Sequence, residues 1–223
     1  VYRYNNYDNQ ANTPSDQTEN NNYKIGLNLS SKVNDYVKFN SRFIVGEKNG
    51  TGFASLDAKK DTGSDDNADV TLSNAYFGFT AIPNTVVNVG KQGLTTPYTV
   101  AVDINGNEQT GTGILALSNV GPVTFGAGYF NNTNLDKSFE LNRSAGLAQG
   151  ATRATPGTTT FNMLSGGSDM YVATVQGDLD FVKLEAWYAG LQETFNTYTL
   201  AATSTLDLAE NAKLGLEARY VNL

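Results

Sequence analysis

Residues 84–111 read NTVVNVGKQGLTTPYTVAVDINGNEQTG, and they decide how the rest of the chain is interpreted. They join a strand-like run to a long connector that is neither polar throughout nor helical. Apolar side chains in this connector lie between a basic residue at one end and acidic residues at the other: Leu94, Pro97, Tyr98, Val100, Val102 and Ile104, flanked by Lys91, Asp103 and Glu108. A connector of this composition is predicted to fold back against the protein's own interior.

The composition favours strands and turns over helices. Of the 223 residues, 39% are apolar, and there are 12 Tyr, 11 Phe and 22 Gly. Aromatic residues favour strands and Gly favours turns, so we predict a single all-β domain over residues 1–223. The net charge of -7, with only 15 Lys and Arg, argues against a nucleic-acid partner. Cysteine and histidine are absent, which removes thiolate metal sites and the commonest general base, and we expect no enzyme.

Alternating apolar and polar residues run along most of the chain. In residues 23–30, for example, Tyr23, Ile25 and Leu27 fall on one face, and Lys24, Gly26 and Asn28 on the other. Several such runs reach the length of about 9 to 11 residues that a membrane-crossing strand needs. Short and long connectors alternate between them, as in outer-membrane barrels. We therefore predict a transmembrane, antiparallel, up-and-down β-barrel.

Both ends of the chain have the appearance of being cut within the fold. About eleven strand-like runs are visible, an odd number for a bacterial barrel, so we expect part of a porin of about 16 to 18 strands. The sequence lacks an apolar run of about 18 residues, so strands closed into a barrel would be the means of crossing a membrane. A soluble β-sandwich, which shows the same alternation, is the competing interpretation.

Several segments resemble the Campylobacter-type major outer membrane protein porins of ε-proteobacteria. They are VYRYNNYDNQ at residues 1–10, AYFGFT at 75–80, VVNVGKQGL at 86–94, TGTGILAL at 110–117 and DLDFVKLEAWYAG at 178–190. The resemblance implies a homotrimeric barrel in the outer membrane, in contact with lipid and lipopolysaccharide. It also implies a third loop folded into the pore, here residues 92–110, passive diffusion of small and mainly cationic solutes, and a bound Ca²⁺.

The charged side chains of the strands are predicted to face the lumen, because Arg or Lys facing lipid at the bilayer midplane costs about 2 to 4 kcal/mol. The same alternation places Lys183, Glu185, Lys213, Glu217 and Arg219 there. The constriction is predicted to combine wall cations with loop carboxylates, which would set a transverse field at the narrowest point. The residues assigned to it are Arg3, Lys24, Lys38, Arg42, Lys91, Asp103 and Glu108.

Two further hypotheses concern loops. Asp103, Asn105 and Glu108 belong to a D-x-N-x-N-E run whose oxygens could hold Ca²⁺, although a plain polar loop tip is the alternative. A different class of function is surface adhesion or recognition, with residues 47–69 and 131–168 as binding loops. An adhesin should bind cells or matrix without conducting ions, whereas a porin should give stable conductance steps.

Overall fold

A computed structural model describes residues 1–8, 17–47, 52–55, 68–102, 108–135, 166–209 and 211–222; for residues 5–8 and 17–20 only the backbone is described. Every described regular element is a strand, and within the described ranges no helix is long and apolar enough to span a membrane. The strands are β1 (Tyr2–Asp8), β2 (Gln17–Tyr23), β3 (Ile25–Asn34), β4 (Val37–Gly46), β5 (Ala54–Ser55), β6 (Asp69–Phe79), β7 (Thr85–Gly93), β8 (Thr110–Val120), β9 (Val123–Thr133), β10 (Met170–Leu179), β11 (Val182–Leu191), β12 (Phe195–Ala209) and β13 (Ala212–Asn222).

Ten of these strands form one antiparallel sheet, in the order β13-β12-β11-β10-β9-β8-β7-β6-β4-β3. Apart from the small β5, strands that follow each other along the chain are neighbours in the sheet, which is the predicted up-and-down arrangement. Nine of the ten strands are between 9 and 11 residues long, and β12 has 15 residues. These lengths match the predicted membrane-crossing strands of about 9 to 11 residues.

The two faces of the sheet differ sharply in polarity. We call the face that packs against residues 94–109 the inner face, and the opposite face the outer face. One row of paired residues across the outer face is almost entirely apolar or aromatic: Phe39, Phe77, Val89, Ile114, Tyr129 and Tyr171. A row across the inner face is mostly polar: Asn119, Thr124, Gln176, Glu185, Ala201 and Arg219. The alternation in the sequence therefore becomes one apolar surface and one polar surface.

Tyrosines concentrate on the outer face near the rim with the longer connectors. The rings of Tyr129 and Tyr171 lie 5.3 Å apart, as do those of Tyr188 and Tyr198. Asp169 accepts hydrogen bonds from the Tyr129 hydroxyl at 3.1 Å and the Tyr171 hydroxyl at 3.4 Å. Aromatic residues with a polar tip at the end of an apolar band are typical of the girdles of outer-membrane barrels.

The face assignment of β7, which alternation leaves unsettled, follows from its register. Val87 pairs with Phe79 and Ala116, so the Val87 and Val89 side chains lie on the apolar outer face. Asn88 and Gln92 lie on the inner face. Gly90 has φ 129°, and a Cβ there would lie 2.5 Å from the Ala75 carbonyl oxygen, so this close strand contact requires glycine.

A β-bulge in β6 explains why Leu72 falls out of the alternation. Arg42 pairs with Asn74 and Phe43 pairs with Leu72, so Ser73 is an extra residue without a cross-strand partner. An inserted residue reverses the alternation beyond it. Leu72 therefore joins the outer face opposite Phe43, and Ser73 is buried on the inner side.

The beginning of the chain differs from the prediction. The polar, Pro-containing sequence of residues 8–22, DNQANTPSDQTENNN, predicts an exposed loop. Instead, Gln17–Tyr23 is a strand, β2, that pairs with β1 and β5 in a separate three-stranded sheet. The sequence of β2, QTENNNY, has no apolar face for alternation to reveal. The segment is a strand because its backbone pairs with neighbouring strands. A single residue, Lys24, separates β2 from β3.

Candidate functional site

The connector between β7 and β8, residues 94–109, is here called the inner loop. At its first end Leu94 is buried in an apolar cluster with Phe130 of β9 and with Leu135, Met170, Val172, Ala189 and Leu191. A Cβ on Gly111 would lie 2.9 Å from a ring carbon of Phe130 and 3.1 Å from a methyl carbon of Leu94. Because Gly111 has no side chain, it leaves room for Leu94 and Phe130, and their contact packs the base of the loop on the wall.

Farther along the inner loop, Tyr98 reaches β12, which lies beyond β9, β10 and β11 in the sheet. Its hydroxyl is hydrogen-bonded to Thr199 and lies 2.9 Å from Oγ1 of Thr197. Thr197 Oγ1 also lies 2.7 Å from the Asn222 carbonyl oxygen of β13, to which it can donate. Both threonines are fully buried, so their hydroxyls form hydrogen bonds with Tyr98 in place of water.

The described part of the inner loop is held together by its own hydrogen bonds. Thr96 and Thr99 exchange backbone hydrogen bonds of 3.1 and 3.3 Å, and Val102 forms an isolated bridge with Glu108. Gln109 donates its backbone N–H to the Ala101 carbonyl at 3.1 Å. Its side-chain Oε1 accepts from the Val100 N–H at 2.8 Å. These bonds satisfy backbone groups of a segment that lies outside the sheet.

At the second end, Glu108 is bound by three residues of the wall. Arg42 Nε donates to Glu108 Oε1 at 2.8 Å, and Lys24 Nζ lies 3.5 Å from the same oxygen. The Ser73 hydroxyl is hydrogen-bonded to Oε2. Glu108 is 3% exposed and Lys24 is 7% exposed. We call Lys24, Arg42, Ser73 and Glu108 the carboxylate clamp, because a buried carboxylate is stable only when cations and donors replace its hydration.

Two asparagines support the clamp. The Asn134 side chain donates to the Glu108 carbonyl oxygen at 2.6 Å and accepts from the Thr110 N–H at 2.7 Å. On the other side, Arg42 Nη1 donates to Asn28 Oδ1 at 2.8 Å, which fixes the direction of the guanidinium group. The backbone and side chain of Glu108 are thus both attached to the wall.

The family of the chain follows from its sequence. A family model described as Campylobacter major outer membrane protein matches residues 1–222. The chain belongs to this family. The family's description places it in the outer membrane of Gram-negative bacteria, as predicted, and confirms the resemblance of the short sequence segments. No curated protein shows significant sequence similarity to the chain.

Solved structures agree with this fold. OccD3 (OpdP) of Pseudomonas aeruginosa superposes with a TM-score of 0.59 at 17% identity, over 92% of this chain and 45% of that one. OccK2 (OpdF) of the same organism, in complex with glucuronate, gives 0.62 at 14% identity over 99% and 52%. A BenF-like porin of Pseudomonas fluorescens gives 0.60 at 14% identity over 99% and 55%. The chain spans about half the length of these proteins, and the likeness confirms the antiparallel transmembrane β-barrel fold.

Three residues predicted at the constriction are brought together by the fold. Lys24, Arg42 and Glu108 meet in the carboxylate clamp. The role of Glu108 differs from the prediction, which has its carboxylate face the opening. Instead Glu108 is turned toward the wall, where the positive charges of Arg42 and Lys24 and the Ser73 hydroxyl replace its hydration.

Three other predicted residues lie elsewhere. Lys91 is on the outer face, because it shares the parity of Val87 and Val89 in β7. Its Nζ donates to the Leu72 carbonyl at 2.9 Å. Lys38 is on the inner face but near the β3–β4 turn, opposite Lys32. Arg3 belongs to the three-stranded sheet, where its guanidinium lies 4.1 Å from the centre of the Phe53 ring.

The calcium prediction rests on Asp103, Asn105 and Glu108. Asp103 and Asn105 lie outside the described residues. Glu108 does not fit a calcium ligand in this arrangement, because both of its oxygens are engaged by donors and two of those donors are cations. Within the described ranges, no three acidic side chains come close enough together to hold a metal ion.

Sequence reasoning missed Ser73, Asn134 and the role of the Tyr98 hydroxyl. A signal for Ser73 was present, because Leu72 breaks the alternation of its strand and such a break indicates a bulge. Bulges often redirect a side chain toward a functional site, and this one directs Ser73 to Glu108. Asn134 gave no comparable signal, since it lies in a long polar connector.

Proposed function

We propose that the chain contributes wall and constriction to an outer-membrane porin through which ions and small hydrophilic solutes diffuse passively. One observation carries the proposal: the inner loop is attached at one end to β9 and β12 and at the other to the β3–β4–β6 region, across the polar inner face. A loop held in this way narrows the water-filled space that the inner face borders. Membership of an outer-membrane family and the porin-like fold support the same function.

The proposed mechanism is filtration by size and charge. The apolar outer face contacts lipid, and the polar inner face contacts water, so solutes pass along the inner face. The inner loop sets the width of the path, and the charges around it set the field that solutes experience. No covalent chemistry is part of this function.

Removal of residues 96–107 tests the proposal. This deletion retains Leu94 and Glu108 but removes the part of the inner loop between them. We expect a larger single-channel conductance in planar bilayers and faster swelling of liposomes in large sugars. An unchanged conductance would contradict the assignment of this loop as the constriction.

An equally long deletion within residues 136–165 provides the control and tests the adhesin alternative, because it shortens the 131–168 connector but retains Asn134 and Leu135. A porin constricted by the inner loop should keep its pore width when this other connector is shortened. An adhesin should lose binding to cells or matrix on this deletion, and should conduct nothing before or after it.

A preference for cations is part of the proposal. The net charge of -7 and Asp103 in the inner loop support it, whereas the β3–β4 wall carries Lys24, Lys32, Lys38 and Arg42. The reversal potential in a salt gradient measures the balance of these charges. A potential that indicates anion preference would overturn this part and leave the porin function intact.

A homotrimer in contact with lipid and lipopolysaccharide is expected from the family resemblance. The mass of the detergent-solubilised protein, with the detergent contribution subtracted, tests the assembly. A monomeric mass that persists in native lipid would contradict the homotrimer.

A further inference from the structure

A cavity of about 660 Å³ lies between the first part of the inner loop and the inner face of the wall. Gly93 at the end of β7 and Leu94, Thr95, Thr96 and Pro97 of the inner loop border it on one side. Ligand pockets in proteins commonly have volumes of about 300 to 1,000 Å³. The space is therefore large enough for a small organic solute and lies directly beside the proposed constriction.

Among the residues that the structure describes, two charged ones line this cavity, and their signs are opposite. They are Glu185 of β11 and Arg219 of β13. Both are paired with Ala201 of the intervening β12, one from each side, so their backbones are about 10 Å apart at the usual strand spacing.

Among the described residues, each charged group contacts one polar side chain and retains further hydrogen-bonding capacity. Trp187 Nε1 donates to Glu185 Oε2 at 3.0 Å, which leaves Oε1 for another donor. Glu217 Oε1 accepts from Arg219 Nε at 3.0 Å and lies 2.9 Å from Nη2, which leaves Nη1 for another acceptor. The cavity thus presents a carboxylate acceptor and a guanidinium donor, which carry opposite charges.

The rest of the lining suits a solute with an apolar part. Trp187 contributes an indole ring, and apolar side chains from β8, β9 and β10 lie around the same space: Leu115, Leu117, Phe130 and Val172. Side-chain amides are also present and can bind peptide or carboxyl groups: Asn74, Asn88, Gln92 and Gln176. Apolar walls with a few placed polar groups are typical of small-molecule sites.

We propose that this cavity binds small zwitterionic solutes, namely free amino acids or dipeptides with apolar side chains. The ammonium group pairs with Glu185, the carboxylate pairs with Arg219, and the side chain lies against Trp187 and the apolar wall. A zwitterion carries an opposite charge for each of these two groups and has no net charge of its own. The inference rests on the proposed porin function in one respect, since that function gives solutes access to the cavity.

Tryptophan fluorescence provides a direct test, because Trp187 is the one tryptophan in the 223-residue sequence. The detergent-solubilised protein is titrated with L-phenylalanine under excitation selective for tryptophan, and W187F protein supplies the background. We expect a saturable change that disappears in the W187F background. Binding should be about tenfold weaker for 2-phenylethylamine and for 3-phenylpropionate, each of which lacks one charge. A tenfold larger dissociation constant corresponds to a loss of about 1.4 kcal/mol of binding free energy.

Two charge-neutral variants sharpen the assignment. Glu185→Gln should abolish the preference for L-phenylalanine over 3-phenylpropionate, and Arg219→Gln should abolish its preference over 2-phenylethylamine. Asp207→Asn, on the same β12–β13 pair but outside the cavity lining, should leave both preferences unchanged. The ligand series on the unmodified protein remains decisive if a variant fails to fold.

Other outcomes would overturn the proposal. Equal binding of all three phenyl compounds would indicate an apolar site without charge recognition. A saturable response to glucose that exceeds the response to L-phenylalanine would indicate a carbohydrate site. Fluorescence in detergent requires no ion conduction, so binding without conductance would reject the porin function alone, and conductance without binding would reject the zwitterion site alone.

Discussion

The two ends of the inner loop are attached to the wall by different kinds of interaction. At the first end, Leu94 packs against Phe130 and other apolar side chains, and the Tyr98 hydroxyl adds uncharged hydrogen bonds. At the second end, the buried Glu108 carboxylate is held by a partly buried guanidinium, a buried ammonium and a hydroxyl. Apolar packing loses free energy in proportion to the atoms removed. A buried ion pair fails more abruptly, because loss of one partner leaves the other charge buried without compensation.

The difference predicts which end controls the position of the loop. Apolar contacts tolerate small shifts, since their attraction depends weakly on direction. The clamp requires Glu108 to lie within hydrogen-bonding distance of donors on β4 and β6, so it fixes both distance and direction. We therefore expect substitutions at the second end to change the geometry of the path most.

Glu108→Ala should have the largest effect. It leaves Lys24 and Arg42 without their carboxylate, and removal of one partner of a buried pair costs about 3 to 5 kcal/mol. The second end of the loop should separate from the wall, with a larger and noisier single-channel conductance. Hydrogen exchange at the Gln109 N–H, which donates to Ala101, should accelerate in parallel.

Asp207→Ala is the matched control for Glu108→Ala. Asp207 and Lys213 form an ion pair of 3.1 Å on the same inner face, but both side chains are 72% exposed. Exposed pairs contribute little to stability, so conductance noise and exchange should remain at their original values. Equal effects of the two substitutions would show that burial of the clamp is not what holds the loop.

Leu94→Ala should have the next largest effect. The side chain is 2% exposed and contacts Phe130, and Leu→Ala substitutions at such positions cost about 2 to 5 kcal/mol. The loss should appear as a lower free energy of unfolding in guanidinium titrations of the protein in vesicles, with less change in conductance than Glu108→Ala causes. Leu206→Ala on the outer face, where the side chain is 42% exposed, is the control and should cost less. A conductance change larger than that of Glu108→Ala would reverse the proposed roles of the two ends.

The sequence predicted the two faces of the wall and the unusual character of the inner loop, because both depend on local patterns. Alternation places Leu27, Phe77 and Val175 together without knowledge of their partners. The clamp could not be predicted in the same way, since Arg42 and Glu108 are 66 residues apart and meet only after the register of several strands is fixed. The bulge at Ser73 shifts that register by one residue. The prediction for Lys91 is wrong for a related reason, because a positive charge indicates the lumen, whereas the parity that Lys91 shares with Val87 and Val89 places it on the outer face.

Tyr98→Phe should have a smaller effect than either preceding substitution. The ring keeps its packing, but Thr199 loses a hydrogen-bond partner while fully buried, and an unsatisfied buried polar group costs about 1 to 3 kcal/mol. The guanidinium titration should show this loss in the free energy of unfolding. Combination with Thr199→Val should recover much of it, since both polar groups are then removed. A double variant that is as unstable as the sum of the two single variants would show that the two hydroxyls do not interact.

Lys91→Gln should have the smallest effect on transport. Lys91 lies on the outer face with Val87 and Val89, and its amine donates to the Leu72 carbonyl, so its charge is separated from the inner face by the sheet. Glutamine retains a donor for the carbonyl, and the lost charge should leave single-channel conductance and reversal potential unchanged. Arg42→Gln removes one positive charge from the inner face and should change both quantities. If Lys91→Gln shifted the reversal potential as much as Arg42→Gln, Lys91 would have to lie on the solute path. The register of β7 with β8 would then have to differ by one residue, because a shift of one residue moves a side chain to the other face of a strand.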